Sequence, residues 1–451
     1  MTVGETRSTL SRRRAAEMRL VVAAIALAAL IVYAVLWLQV SPARERGTDF
    51  SASYVAALVV REGDGGQIYN QGVEAAKHAA ILLPGYRVNL PFITPPTTAL
   101  LAIPLTFLDP GAAFRLFSIL QLLLLVAGVA VAARAGPWPG GSRSARWVGA
   151  AAAVAGSATL PLLLLGQWDG LCALGLALAY TSWRRDRPFS AGLWLALGFG
   201  IAKPHLAIGL LAFAIGRRDR RALLGMVTGA VALIAVSVVT VGPSATLSFL
   251  GTSSFALGNT PAASTLGLLG LAASWLGSGS AATGIAIAGG VLGIAACGLL
   301  GWRSHGHPDR LEATLAAAAA LSLLVAPHLL AHDLVVLAPA FVWVAARAAH
   351  IDVPHPWPGR AGMYVVVGWL ALALLIALDI GAGAPAPPGR LVPWGLMAVA
   401  AVLAVWQGRR GEEPRAKLAE VAAHGPHIDR GAFRADLDRV VDQGLERGIS
   451  E

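Results

Sequence analysis

The chain has 451 residues, 56% of them hydrophobic and only 13% charged, with a formal net charge of +10. A soluble globular protein carries about a quarter charged residues, so that class is excluded. The apolar residues come in repeated runs of ~15–25, long enough to cross a ~30 Å hydrocarbon layer as helices. Helices satisfy their backbone within the segment, which makes them the default over a barrel. Most of the positive charge lies in short loops, as in cytoplasmic loops facing anionic lipid. No aromatic-basic module accompanies it, so nucleic acid is not an expected partner. Cys172 and Cys297 both lie in apolar runs without CxxC or zinc spacing, which argues against a disulfide framework.

The predicted fold class is an all-α polytopic membrane protein. It has a cytoplasmic N-terminus over 1–19, a transmembrane domain over 20–406 and a cytoplasmic tail over 407–451. Arg12, Arg13 and Arg14 precede a first span at 20–40 that lacks a small-residue cleavage site, so this helix is expected to be retained. Residues 41–96 form the one long polar stretch between spans and read as a large extracytoplasmic loop. Within it, 50–61 and 71–83 have helical patterns with small and apolar faces, predicted to lie at the membrane surface, with Gly63, Gly65 and Gly66 as punctuation.

A short apolar piece at 97–108 reads as re-entrant or partial and is followed by a full span at 114–133. Further spans are predicted at 147–165, 171–183, 190–202, 206–215, 222–241, 286–300, 311–325, 334–346, 363–379 and 391–406, giving about twelve crossings. The arginine clusters at 184–187, 217–221 and 303–310 then fall inside. Lys203-Pro204-His205, the loop 242–264 and Pro327-His328 fall outside. An amphipathic pattern at 432–449 marks a tail that is helical in part.

With this topology, Asp49, Arg87, Gln167, Asp169, Lys203, His205, Asn259, His328, His332 and Asp333 all fall at or near outer span ends. Ionisable groups at membrane depth are costly and usually face a cavity or a partner, so their gathering on one side suggests a site there. Asp49, just past the first span, is suited to be a general base that takes a proton from a hydroxyl nucleophile. From the residue alone the favoured reading is an N-cap for a helix starting at Phe50, a role compatible with that of a base. Lys203 precedes a proline at a helix break, where it can pair with a phosphate or snorkel to the interface.

His328 and His332 are four apart and share a face if one helix runs through both. The run HLLAH lacks the glutamate of a zinc-protease motif, so a structural or phosphate-facing pair is favoured over a metal site. Asp333 either orients a histidine or caps the next helix. No GxxxxGK[ST] loop is present.

These residues resemble glycosyltransferase family 87, polyprenyl-phosphate-sugar-dependent enzymes of the GT-C membrane fold. The resemblance rests on Asp49-Phe50 with Tyr54, Ile68-Tyr69-Asn70, and Phe92-Ile93-Thr94-Pro95-Pro96 followed by Ile103-Pro104-Leu105. It continues through Leu165-Gly166-Gln167, Ala202-Lys203-Pro204, Gly258-Asn259-Thr260-Pro261 and Ala326-Pro327-His328 with His332-Asp333. The order of the motifs over residues 45–340 is more specific than any one of them.

The Ala-, Gly- and Arg-rich composition fits a bacterial plasma membrane. The resemblance implies a GT-C-like bundle with its site on the extracytoplasmic side. It implies a polyprenyl-phosphate sugar donor, typically carrying mannose, and a glycolipid or polysaccharide acceptor. Asp49 would be the base of an inverting transfer. Lys203, His328, His332 and Arg87 would face the donor phosphate, and Gln167 and Asn259 would line the substrate site. Cations of the chain would serve the monophosphate leaving group, so no metal or other cofactor is expected. The competing reading is a polyprenyl-lipid or solute carrier without chemistry, which would need the phosphate cations but not Asp49.

Overall fold

The computed structural model describes residues 3–83, 90–138, 143–259, 262–349, 360–381 and 390–406, and these hold helices and connecting turns with no strand among them. Arg87 and the tail from 407 lie outside the described residues. The chain divides into Met1–Ala404, which contains the bundle and the site, and Val405–Glu451.

The helices of the first half are α1 (Val3–Leu38), α2 (Pro42–Arg46), α3 (Phe50–Arg61), α4 (Gln71–Ile81), α5 (Pro96–Ala102), α6 (Pro110–Ala135), α7 (Arg143–Val154), α8 (Thr159–Leu165) and α9 (Asp169–Arg184). Those of the second half are α10 (Pro188–Gly200), α11 (Ile208–Gly216), α12 (Arg220–Asn259), α13 (Leu268–Leu276), α14 (Ser280–Ser304), α15 (Leu311–Leu324), α16 (Ala338–Ala348), α17 (Arg360–Gly381) and α18 (Leu391–Trp406). Among the described residues, five stretches are long and apolar enough to cross a membrane: Ala16–Leu38, Pro110–Ala135, Arg220–Thr252, Ser280–Ser304 and Ala331–Ala348. A sixth is available if α7 and α8, bent by 48°, form one broken span. Outward-facing apolar side chains such as Leu20 and Val239 fit a lipid surround. The other apolar helices are short, so helix length alone does not establish twelve crossings.

Helices pack closely because small residues face one another, the mode expected where lipid removes the hydrophobic drive between helices. A Cβ added at Gly192 of α10 would lie 1.8 Å from the Ala222 carbonyl of α12. One added at Gly301 of α14 would lie 2.0 Å from the Phe213 carbonyl of α11. Helix breaks are satisfied internally: Ser322 Oγ accepts from Gly209 N at 2.9 Å and donates to the Leu206 carbonyl at 2.6 Å, serving the backbone freed at Pro204.

Helix α3 is packed within the bundle: Phe50, Ser51, Ser53, Tyr54, Val55, Ala56, Ala57 and Val59 are all buried. One expectation about the fold is corrected. Residues 242–259 are helix rather than loop. Gly242, at φ 85°, makes a kink, and Pro243 opens a second helical stretch at a position where its missing N–H costs nothing. The piece at 97–108 is short as predicted, being α5 plus a 3-10 turn over Ile103–Phe107.

Candidate active site

The site begins where α1 ends. Arg115 of α6 donates to the carbonyls of Trp37 and, at 2.9 Å, Val40, and to Glu45 Oε1 at 2.6 Å. One guanidinium thus satisfies terminal carbonyls of α1 and holds α2. Thr48 Oγ1 donates to the Glu45 carbonyl at 3.2 Å, and the chain enters α3 at Asp49.

Asp49 sits at the N-cap position, yet its carboxylate makes no capping bond. Instead it accepts from Gln167 Nε2 at 2.5 Å. The capping alternative therefore fails on geometry: this carboxylate is aimed across the bundle, away from its own helix. Burial raises its pKa above the ordinary 3.8; the Gln167 hydrogen bond and the charge of Lys203 oppose the rise, and the charge of Asp333 adds to it.

Gln167 reaches Asp49 because the preceding residue is glycine. Gly166 adopts φ 66° at the end of α8, and a Cβ there would lie 2.7 Å from Phe50 Cβ. The next residue, Trp168, donates from Nε1 to Ser53 Oγ at 3.1 Å and meets Phe117 edge-on, while Phe117 stacks on Phe50 at 4.5 Å. The Gly166–Trp168 turn and the head of α3 are thus fastened together in three places.

Beside them lies a buried ionic group. Lys203, at the break after α10, donates from Nζ to Asp169 Oδ2 at 2.9 Å and to Asp333 Oδ1 at 2.7 Å. All three residues are buried. Asp333 also accepts from Leu330 N at 2.7 Å, and His332 Nε2 lies 3.6 Å from its Oδ1. Potential ligand atoms of Asp169, His332 and Asp333 lie within 4.8 Å of one another, a spacing that could hold a metal ion. Here the Lys203 ammonium bonds both carboxylates and supplies the counter-charge.

His328 and His332 do not share a helical face, which corrects the expected pairing. Helix α15 ends at Leu324, His328 lies in a bend, and His332 sits in a 3-10 turn over Ala331–Leu337. Pro327 cannot continue α15, so the chain turns there. His328 instead stacks on His205, with ring centroids 4.5 Å apart. His205 Nε2 and His328 Nδ1 are buried without a hydrogen-bond partner, as is Asp169 Oδ1. Buried polar atoms left unpaired call for a partner such as water, an ion or a ligand.

The structure therefore brings Asp49 together with Gln167, Lys203 with Asp169 and Asp333, His332 with Asp333, and His328 with His205. Asn259 is the last residue of α12, and its side chain lies outside the described residues. Sequence spacing gave no sign that Lys203 is paired, because its partners are 34 and 130 residues away.

A family model described as Glycosyltransferase family 87 matches residues 92–327, just over half of the chain. No curated protein and no solved structure matches it. The matched range contains Gln167, Asp169, Lys203 and His205 and stops one residue before His328, while Asp49 precedes it. The apolar helices and this match agree with the motif order read from the sequence: the chain belongs to glycosyltransferase family 87.

Proposed function

We propose that this membrane glycosyltransferase moves a hexose, mannose in the first instance, from a polyprenyl-phosphate donor to a hydroxyl of a glycolipid or polysaccharide. The site opens on the extracytoplasmic side of a bacterial plasma membrane, within a GT-C-like bundle. The observation that carries the reading is the Asp49 carboxylate, freed from capping, held by Gln167 and kept basic by burial.

Asp49 removes the acceptor hydroxyl proton as the oxygen attacks the anomeric carbon. The bond from that carbon to the phosphate oxygen breaks, the electron pair leaves with polyprenyl phosphate, and the configuration inverts. A base with a raised pKa suits this step, because proton transfer is most effective when the pKa lies near the working pH. Gln167 fixes the carboxylate's direction, which is the positioning contribution.

Lys203 has a different part from the one its sequence suggests. With both carboxylates ionised, Lys203, Asp169 and Asp333 sum to −1, so the ammonium is not a free cation for a phosphate. It holds the start of α9 and the 331–337 turn in place around the site. The donor phosphate is met by His328 and His205, whose unpartnered ring nitrogens supply hydrogen bonds. His332 backs Asp333.

The test is transfer by the purified protein in lipid from labelled polyprenyl-phosphate mannose to a membrane glycolipid extract, with the product anomer read by NMR. A product of inverted configuration supports the reading. Retained configuration would exclude a single displacement with Asp49 as base. Donor binding without transfer to any acceptor would favour a carrier.

A further inference from the structure

Away from Asp49, α4, the chain leading into α5 and the far half of α12 enclose a cleft of about 360 Å³. This lies in the range of small-ligand sites, about 300–1,000 Å³. Its walls mix hydrogen-bonding side chains (Gln71, Glu74, Ser248, Thr252) with the rings of Tyr69 and Phe92. Tyr69 stacks on Phe92 at 5.4 Å and approaches Phe249 at 6.5 Å, and its hydroxyl donates to the Thr94 carbonyl at 2.7 Å, so the ring is held still. Glu74 Oε2 accepts from Phe92 N at 3.0 Å, which ties α4 to the opposite wall.

The lining selects a ligand class. Among the described residues that line it, the single ionisable carboxyl is Glu74 and none is cationic, so they offer a phosphate or other anion no counter-charge. Amide and hydroxyl groups offer both donors and acceptors, and the rings offer flat apolar faces. A polyhydroxylated neutral ligand, with C–H faces and hydroxyl edges, fits both.

The cleft is linked to the site. His78 lies four residues after Glu74 on α4, hence on the same face and about 6 Å along the axis. His78 Nε2 pairs with Ser51 Oγ at 2.8 Å, and Ser51 is two residues from Asp49.

We infer that this cleft binds neutral sugar residues of an oligosaccharide acceptor, behind the residue whose hydroxyl meets Asp49. The inference rests on the glycosyltransferase reading above and adds where the acceptor's preceding sugars are held, in a cleft apart from Asp49. The donor, with its phosphate, goes elsewhere.

Saturation-transfer NMR on the full-length protein in nanodiscs tests it, with linear neutral gluco- and manno-oligosaccharides as observed probes and inorganic phosphate as an anionic competitor. Ser248→Trp fills the cleft from the exposed face of α12, and Gln71→Ala removes an exposed amide from the other wall. Binding of an oligosaccharide that Ser248→Trp abolishes, and that Gln71→Ala weakens by about threefold to tenfold, is the expected result. The same variants should raise the KM for a glycan acceptor and leave donor affinity unchanged.

Oligosaccharide binding or acceptor KM indifferent to Ser248→Trp would overturn the inference, even with transfer intact. So would displacement of the bound oligosaccharide by inorganic phosphate, or no binding by any oligosaccharide. Sugar binding sensitive to Ser248→Trp in a protein that transfers nothing would instead leave the cleft standing and count against the enzymatic reading.

Discussion

Replacing Lys203 by methionine keeps much of the side chain's length and apolar stem but removes the ammonium. Wild type satisfies Asp169 and Asp333 with two bonds from one nitrogen, at 2.9 and 2.7 Å, in a place where none of the three side chains reaches water freely. Hydrogen bonds to charged groups contribute about 1.5–3 kcal/mol each. Breaking a buried ion pair by removing one partner costs about 3–5 kcal/mol, because an uncompensated charge is left behind. Here two carboxylates are left facing each other, so the upper part of that range, about 5 kcal/mol, is the expected loss.

Unfolding by heat or denaturant in mild detergent, followed by tryptophan fluorescence, measures it. A second variant, Lys203→Met with Asp169→Asn, removes one of the two stranded charges, and Asp333 keeps its bond from Leu330 N. It should regain about half of the loss. If Lys203→Met unfolded within about 1 kcal/mol of wild type, the ammonium would not be holding two buried carboxylates and the reasoning would fail.

Gln167→Leu takes from Asp49 its hydrogen-bond donor, one of the influences that lower its pKa. The acid limb of the transfer rate, which reports loss of the ionised base as pH falls, should therefore move to higher pH; a limb that stays put would separate Gln167 from Asp49. Glu74 is buried and its pKa is raised to about 7 from 4.5. The native state thus binds the proton more tightly than the unfolded chain, and stability present at pH 4.5 is lost as pH rises through 7. Glu74→Gln should abolish that slope and gain up to about 3 kcal/mol at pH 8, from 1.36 kcal/mol per unit; an unchanged stability–pH curve would count against it. Gly192→Ala places a methyl where the Ala222 carbonyl stands. It should destabilise by about 1–3 kcal/mol through the forced separation of α10 and α12, and a neutral effect in the same unfolding assay would show looser packing.

Much of the helix layout could be read from the chain. The segment 50–61 coincides with α3, and 71–83 with α4 to within two residues, because caps and breakers were local: Asn70 accepts from Gly72 N and Val73 N, and glycines precede it. What failed was non-local. The small face of α3 is legible in the sequence, but its partners, His78 for Ser51 and Trp168 for Ser53, are distant in the chain. Gly242-Pro243 signals a break, but nothing near it says that a helix resumes at once. The site divides in the same way. Topology suggests that its residues share one side, and the structure pairs Asp49 with Gln167, whereas the pairing of Lys203 with two aspartates and of His328 with His205 depends on how distant helix ends meet.

The central claim is that the Asp49 carboxylate is the base of the transfer. Single-turnover transfer from polyprenyl-phosphate mannose by wild type and Asp49→Asn, with donor affinity measured in the same preparations, tests it most directly. The amide keeps the size of the carboxylate and its place beside Gln167 but cannot take the proton. Transfer slowed by about 10²–10⁴, with donor affinity unchanged, is the predicted result. Equal rates for the two proteins would contradict it and return Asp49 to a purely structural part.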